Sequence, residues 1–99
     1  VRLTVCRLAD LPAHQGYLVE VAGEAIALFR VGDEVHAVEN GCPHRGGPLA
    51  FGDLRGGTVF CPLHAWGFDV RTGRCDEFPE ASLRTFAVHV EGDEVQIEL

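Results

Sequence analysis

Apolar positions along this chain alternate in short bursts separated by turn residues. In TFAVHV (85–90), Phe86, Val88 and Val90 fall on one face; in EVQIEL (94–99), Val95, Ile97 and Leu99 do the same. Gly92 and Asp93 between them predict a hairpin. Residues 3–7 predict a first strand and ADLPAHQG a loop. YLVEVAG and AIALFRV predict two further strands about Gly23 and Glu24. Val31 to Glu34 reads as a turn, and EVHAVE resumes the extended pattern with Val35 and Val38 partly alternating. Gly-Asp-Glu-Val occurs twice, as repeated hairpin chemistry rather than a solenoid period. No stretch holds a helical period long enough to predict a helix. Between Gly41 and Pro79 the alternation breaks down among glycines and prolines, with room for two short extended pieces around 58–61 and 67–70. The pattern therefore predicts one all-β domain, residues 1–99. It divides into a β base, 1–40 and 79–99, and an inserted loop-rich unit, 41–78.

Ninety-nine residues with 46% apolar side chains suit one domain with a modest core. The formal charge of −7 argues against nucleic acid, whose phosphates need a basic footprint, and against an anionic membrane surface. It suits a partner that presents a basic patch. No segment approaches the roughly 20 apolar residues of a membrane span, and no charged-then-apolar leader opens the sequence. The expectation is a soluble, cytoplasmic protein. All eight basic residues are Arg. The four cysteines, Cys6, Cys42, Cys61 and Cys75, are too sparse for a disulfide scaffold, which makes metal binding the better expectation.

The insertion carries the chemistry. GCPHRGGPL places Cys42 two residues before His44, and CPLHAWGFD places Cys61 three residues before His64. Pro43 and Pro62 set both pairs on stiff loops rather than in strand interiors. Thiolate and imidazole suit iron and zinc. Any one of these residues alone reads as ordinary packing or surface; all four on two similar loops do not. Cys6 and Cys75 read as packed thiols, His14 as a surface residue, and His36 and His89 as solvent-facing. Asp69 to Gly73 reads as a turn closing the second loop. No nucleophile constellation or nucleotide-binding loop is present, so nothing predicts catalysis by this chain alone.

The pattern Cys-x-His, sixteen residues, Cys-x-x-His, with CPHRGGPL and CPLHAWGFDVRTG, resembles the Rieske iron–sulfur family, in particular its ferredoxin-type members and the Rieske-like small subunit of assimilatory nitrite reductase. The resemblance implies an antiparallel β-sandwich base with a cluster-binding subdomain. It implies a [2Fe–2S] cluster with Cys42 and Cys61 on one iron, and His44 and His64 on the other. Two thiolates offset the charge of the oxidised core where four would make it doubly negative, so the mixed site accepts an electron more readily. The respiratory branch of the family has an extra cysteine in each loop, joined as a disulfide; here the first loop continues Arg45-Gly46-Gly47, and Leu63 lies in the second. That branch also places a serine and a tyrosine where this chain has Trp66 and Phe68. Loss of those hydroxyls implies a low potential. The implied function is a one-electron carrier between a reductase and a terminal oxygenase or reductase. A nitrite reductase small subunit and a structural zinc module made of the same four residues are the alternatives.

Overall fold

A computed structural model describes residues 2–43, 46–63 and 66–99 of the chain. Among the described residues nine strands form: β1 (Arg2–Arg7), β2 (Tyr17–Val21), β3 (Glu24–Val31), β4 (Glu34–Glu39), β5 (Asp53–Arg55), β6 (Thr58–Phe60), β7 (Gly67–Asp69), β8 (Thr85–Glu91) and β9 (Glu94–Glu98). Every strand pairing is antiparallel. Six strands run in the order β1-β9-β8-β4-β3-β2, and β5-β6-β7 form a separate small sheet.

The six-stranded sheet is a sandwich because its middle joint is narrow. β4 meets β8 through only Ala37–Phe86 and Val38–Thr85, so the two halves fold over one another. Val95 and Ile97 of β9 and Val88 of β8 then pack against Ile26 and Leu28 of β3 and Val35 and Ala37 of β4. The other face of β3 is covered as well. Ala27 and Phe29, with Val38 of β4, pack under Leu54, Val59, Phe68 and Val70 of the small-sheet region. β3 is thus a middle layer, which explains why AIALFRV reads as a continuous apolar run rather than an alternation.

The terminal hairpin forms as its pattern predicts, with Val88 opposite Ile97 and Val90 opposite Val95. The β2–β3 hairpin turns one residue earlier than expected. Val21 pairs with Glu24, leaving Ala22 (φ 53°) and Gly23 (φ 80°) as a two-residue turn with both residues left-handed. Two features are not signalled by the pattern. β5 carries a single buried side chain, Leu54, between exposed neighbours, too short to show a period. Three 3-10 turns, Leu8–Asp10, Leu49–Phe51 and Pro79–Ala81, are likewise below the length at which a period registers.

Candidate metal centre

Cys42 follows β4 and Cys61 follows β6, so the base delivers one loop and the small sheet the other. Both cysteines are only 2% exposed and lie in one apolar cluster with Phe68, Cys75 and Leu49. No disulfide joins any of the four cysteines.

Each loop is closed by its own backbone. In the first, the Cys42 amide donates to the Gly47 carbonyl (3.0 Å) and the Gly46 amide donates to the Cys42 carbonyl (2.6 Å). Asn40, 9% exposed, anchors the same loop from outside. Its carbonyl accepts from the Leu49 amide (2.9 Å) and its side-chain oxygen accepts from the Ala50 amide (2.9 Å). In the second loop, the Cys61 amide donates to the Trp66 carbonyl (2.9 Å). The turn from Asp69 to Gly73 forms as expected: the Asp69 carboxylate accepts from the Arg71 amide (2.8 Å), and its carbonyl accepts from the Gly73 amide (2.7 Å).

Gly47 is where the two loops meet. A Cβ there would stand 2.8 Å from Cys61 Sγ and 3.1 Å from Leu63 Cγ. Any side chain at position 47 would displace the second thiol or the leucine over it. Two enclosed thiols in one buried cluster, on loops that approach each other at Gly47, fit the thiolate ligands of a two-iron site. The other expected ligands, His44 and His64, lie outside the described residues, as does Arg45.

The remaining candidates divide. His14 is exposed, as expected, and Cys75 is fully buried. Burial and then the charge of Asp10 push the Cys6 thiol up to about 11, so it stays protonated and inert near neutral pH. His36 and His89 do not face open solvent; both are half-buried. β4 is covered on both sides, and His36 shares the face of Val38 that meets the insertion. Its Nε2 lies 3.0 Å from Glu34, whose carboxylate also accepts from Arg71 (3.2 Å). The His36 hydrogen bond, followed by Arg71, holds the Glu34 carboxyl below its ordinary value. His89 Nε2 is enclosed with no hydrogen-bond partner among the described residues, 3.8 Å from Glu98.

Residues 1–87 match the model of the Rieske [2Fe-2S] domain. The chain belongs to the Rieske family. Its cofactor is therefore a [2Fe–2S] cluster, and the enclosed thiols of the two loops suit it. The 3-phenylpropionate/cinnamic acid dioxygenase ferredoxin subunit of Escherichia coli (strain K12) is 37% identical over 100 residues, covering 99% of this chain and 93% of that one. Apoptosis-inducing factor 3 of Mus musculus is 39% identical over 98 residues, but the Rieske chain spans only 16% of its length. Among solved structures, the ferredoxin of carbazole 1,9a-dioxygenase from Nocardioides aromaticivorans IC177 superposes with a TM-score of 0.90 at 31% identity, covering 98% of this chain and 96% of that one. An NADH-dependent nitrite reductase small subunit assigned in Mycobacterium tuberculosis gives 0.88 at 30% identity, over 98% and 93% of the two chains. Among the described residues no helix is long and apolar enough to cross a membrane.

Asn40 is the positioning residue that sequence reasoning missed. A lone asparagine before a glycine signals only a turn, and its role appears once the fold brings the amides of 49 and 50 to it.

Proposed function

We propose that this chain is a cytoplasmic, low-potential Rieske ferredoxin that passes single electrons from a reductase to a terminal oxygenase. Cys42 and Cys61 supply the two thiolates and His44 and His64 the two imidazoles, on one Rieske domain with base 1–40 and 79–99 and a cluster-binding unit 41–78. When bound, the cluster would supply a one-electron store, held by thiols that the protein encloses. The observation that carries the reading is the pair of buried thiols from two loops meeting across Gly47. Pro43, Gly46, Pro62 and Leu63 of those loops are exposed, Leu63 at 60%, and Phe51 nearby is 59% exposed. An open groove of about 530 Å³ lined by Phe51, Asp53, Arg55, Phe60 and Pro62 runs beside Cys61. Apolar tips beside a redox centre give a partner a close approach without a permanent interface.

The likeness to a nitrite reductase small subunit favours a second reading, in which the same electron goes to a nitrite reductase. Oxidation of the reduced protein by an oxygenase or by a nitrite reductase separates the two. The ligand assignment is tested by composition. Purified protein is expected to be red-brown, with two irons and two acid-labile sulfides per chain. His64→Ala is expected to abolish the visible absorbance, whereas His36→Ala and His89→Ala retain it. One zinc and no sulfide, or equal bleaching in the His36 variant, overturns the assignment.

A further inference from the structure

Beyond the ligands, the exit of the second loop is held in an unusual way. β7 has β6 on one edge, with Phe60 opposite Gly67. Its other edge is covered by the returning chain: Asp69 takes the Arg74 carbonyl (2.9 Å), Phe68 bridges Cys75, and the Asp76 amide donates to the Gly67 carbonyl (2.9 Å). Along one residue of a strand the amide and carbonyl point to the same edge. The Gly67 amide therefore also faces the returning chain and needs an acceptor there. No backbone carbonyl among the described residues takes it. The Glu77 side chain does, with Oε1 3.1 Å from the Gly67 nitrogen. The same oxygen lies 3.9 Å from Cys75 Sγ, within reach of the thiol proton. Immediately alongside, Phe78 packs on Trp66 with ring centroids 4.5 Å apart.

A neutral acceptor would have closed this edge. A carboxylate closes it more strongly and also fixes a formal negative charge at the neck of the loop that runs from Cys61 to Trp66. Adding an electron next to a fixed negative charge is disfavoured. We propose that Glu77 is a positioning residue with two separable effects: its hydrogen bond to Gly67 retains the second ligand loop, and its charge lowers the reduction potential. The inference rests on the ligand assignment proposed for that loop.

Glu77→Gln and Glu77→Ala separate the effects, because the amide oxygen of Gln still accepts the Gly67 hydrogen while carrying no charge. Glu80→Gln, on an exposed turn a few residues on, is the control. Two quantities are read on the loaded protein: the midpoint by film voltammetry, and the rate at which a chelator bleaches the visible absorbance. In E77Q reduction is expected to become about threefold more favourable, on a scale where tenfold is 59 mV for one electron, with bleaching at the wild-type rate. In E77A bleaching is expected to be several-fold faster. If E77A fails to load, E77Q alone decides. An E77Q midpoint equal to that of the wild type, or a shift matched by E80Q, overturns the electrostatic part; E77Q bleaching as fast as E77A, or E77A as slow as wild type, overturns the clamp. Wild-type protein without iron and sulfide would instead fail the ligand assignment.

Discussion

Asn40 shows how one residue can hold a loop through the backbone amides around it. Its amide donates to the Ala25 carbonyl (3.0 Å), fixing it to β3, while its carbonyl and side chain take the amides of Leu49 and Ala50. Ala50 is fully buried, so no water replaces the lost acceptor. Asn40→Ala is therefore expected to lower the unfolding free energy by about 1–3 kcal/mol, the cost of one unsatisfied buried donor. Denaturant titration measures it, and a change below about 0.5 kcal/mol, the range of surface substitutions, would show that the amide finds another partner. Cys42 and Cys61 stand out in the sequence because thiols beside histidines at a fixed spacing carry their chemistry in their identity, and the fold buries both in one cluster. Asn40 was not, because its role lies in which backbone groups surround it. His36 was misjudged for a related reason. A two-residue period assumes one face in water, and β4 is covered on both.

At the scale of elements, the hairpins of the base were legible because each carries a period and a turn signal. β5 was not, since one buried leucine between glycine-flanked charged residues shows neither. Yet β5 to β7 form the platform for the second thiol, and β7 sets the chemistry beyond it. Phe68 on β7 is fully buried in the cluster that holds Cys42 and Cys61. By the family resemblance, it stands where the respiratory branch has a tyrosine, and Trp66 where that branch has a serine. Neither ring offers a hydroxyl to a sulfur, and the facing positions Gly47 and Leu63 carry no disulfide. With the proposed mixed ligand set, the potential is expected above the roughly −400 mV of plant-type all-cysteine sites, and without those donors it is expected near the low end of the Rieske range, at about −150 mV. Phe68→Tyr is expected to raise it, since a phenol confined beside the thiols has few other acceptors. Film voltammetry on both proteins checks this; a wild-type midpoint well above 0 mV removes the low-potential reading.

For the whole molecule, the net charge of −7 matters through where its acids are left unpaired. On the base, Arg2 pairs with Glu91 (3.2 Å), Arg7 with Asp93 (3.5 Å) and Arg84 with Glu24 (2.6 Å). In the insertion, Arg55 takes Asp53 (2.6 Å) and Arg71 takes Glu34 (3.2 Å). Asp76 and Glu80 form no ion pair among the described residues, are exposed, and flank the segment that braces the exit of the second loop. A redox partner with a basic patch would be steered toward that side of the cluster. The association rate with a reductase is accordingly expected to fall at least about tenfold from low salt to about 1 M, where the screening length contracts to about 3 Å. The double variant D76N/E80Q should flatten that dependence. Glu94→Gln, on β9 opposite Arg7 of β1 and outside the cluster that holds the two thiols, should change it far less, because exposed charges beyond a screening length of the docking face contribute little. Stopped-flow reduction across a salt series measures all three proteins. A rate indifferent to salt sinks the steering argument, and an equal loss in Glu94→Gln shows that net charge, rather than its placement beside the second loop, does the steering.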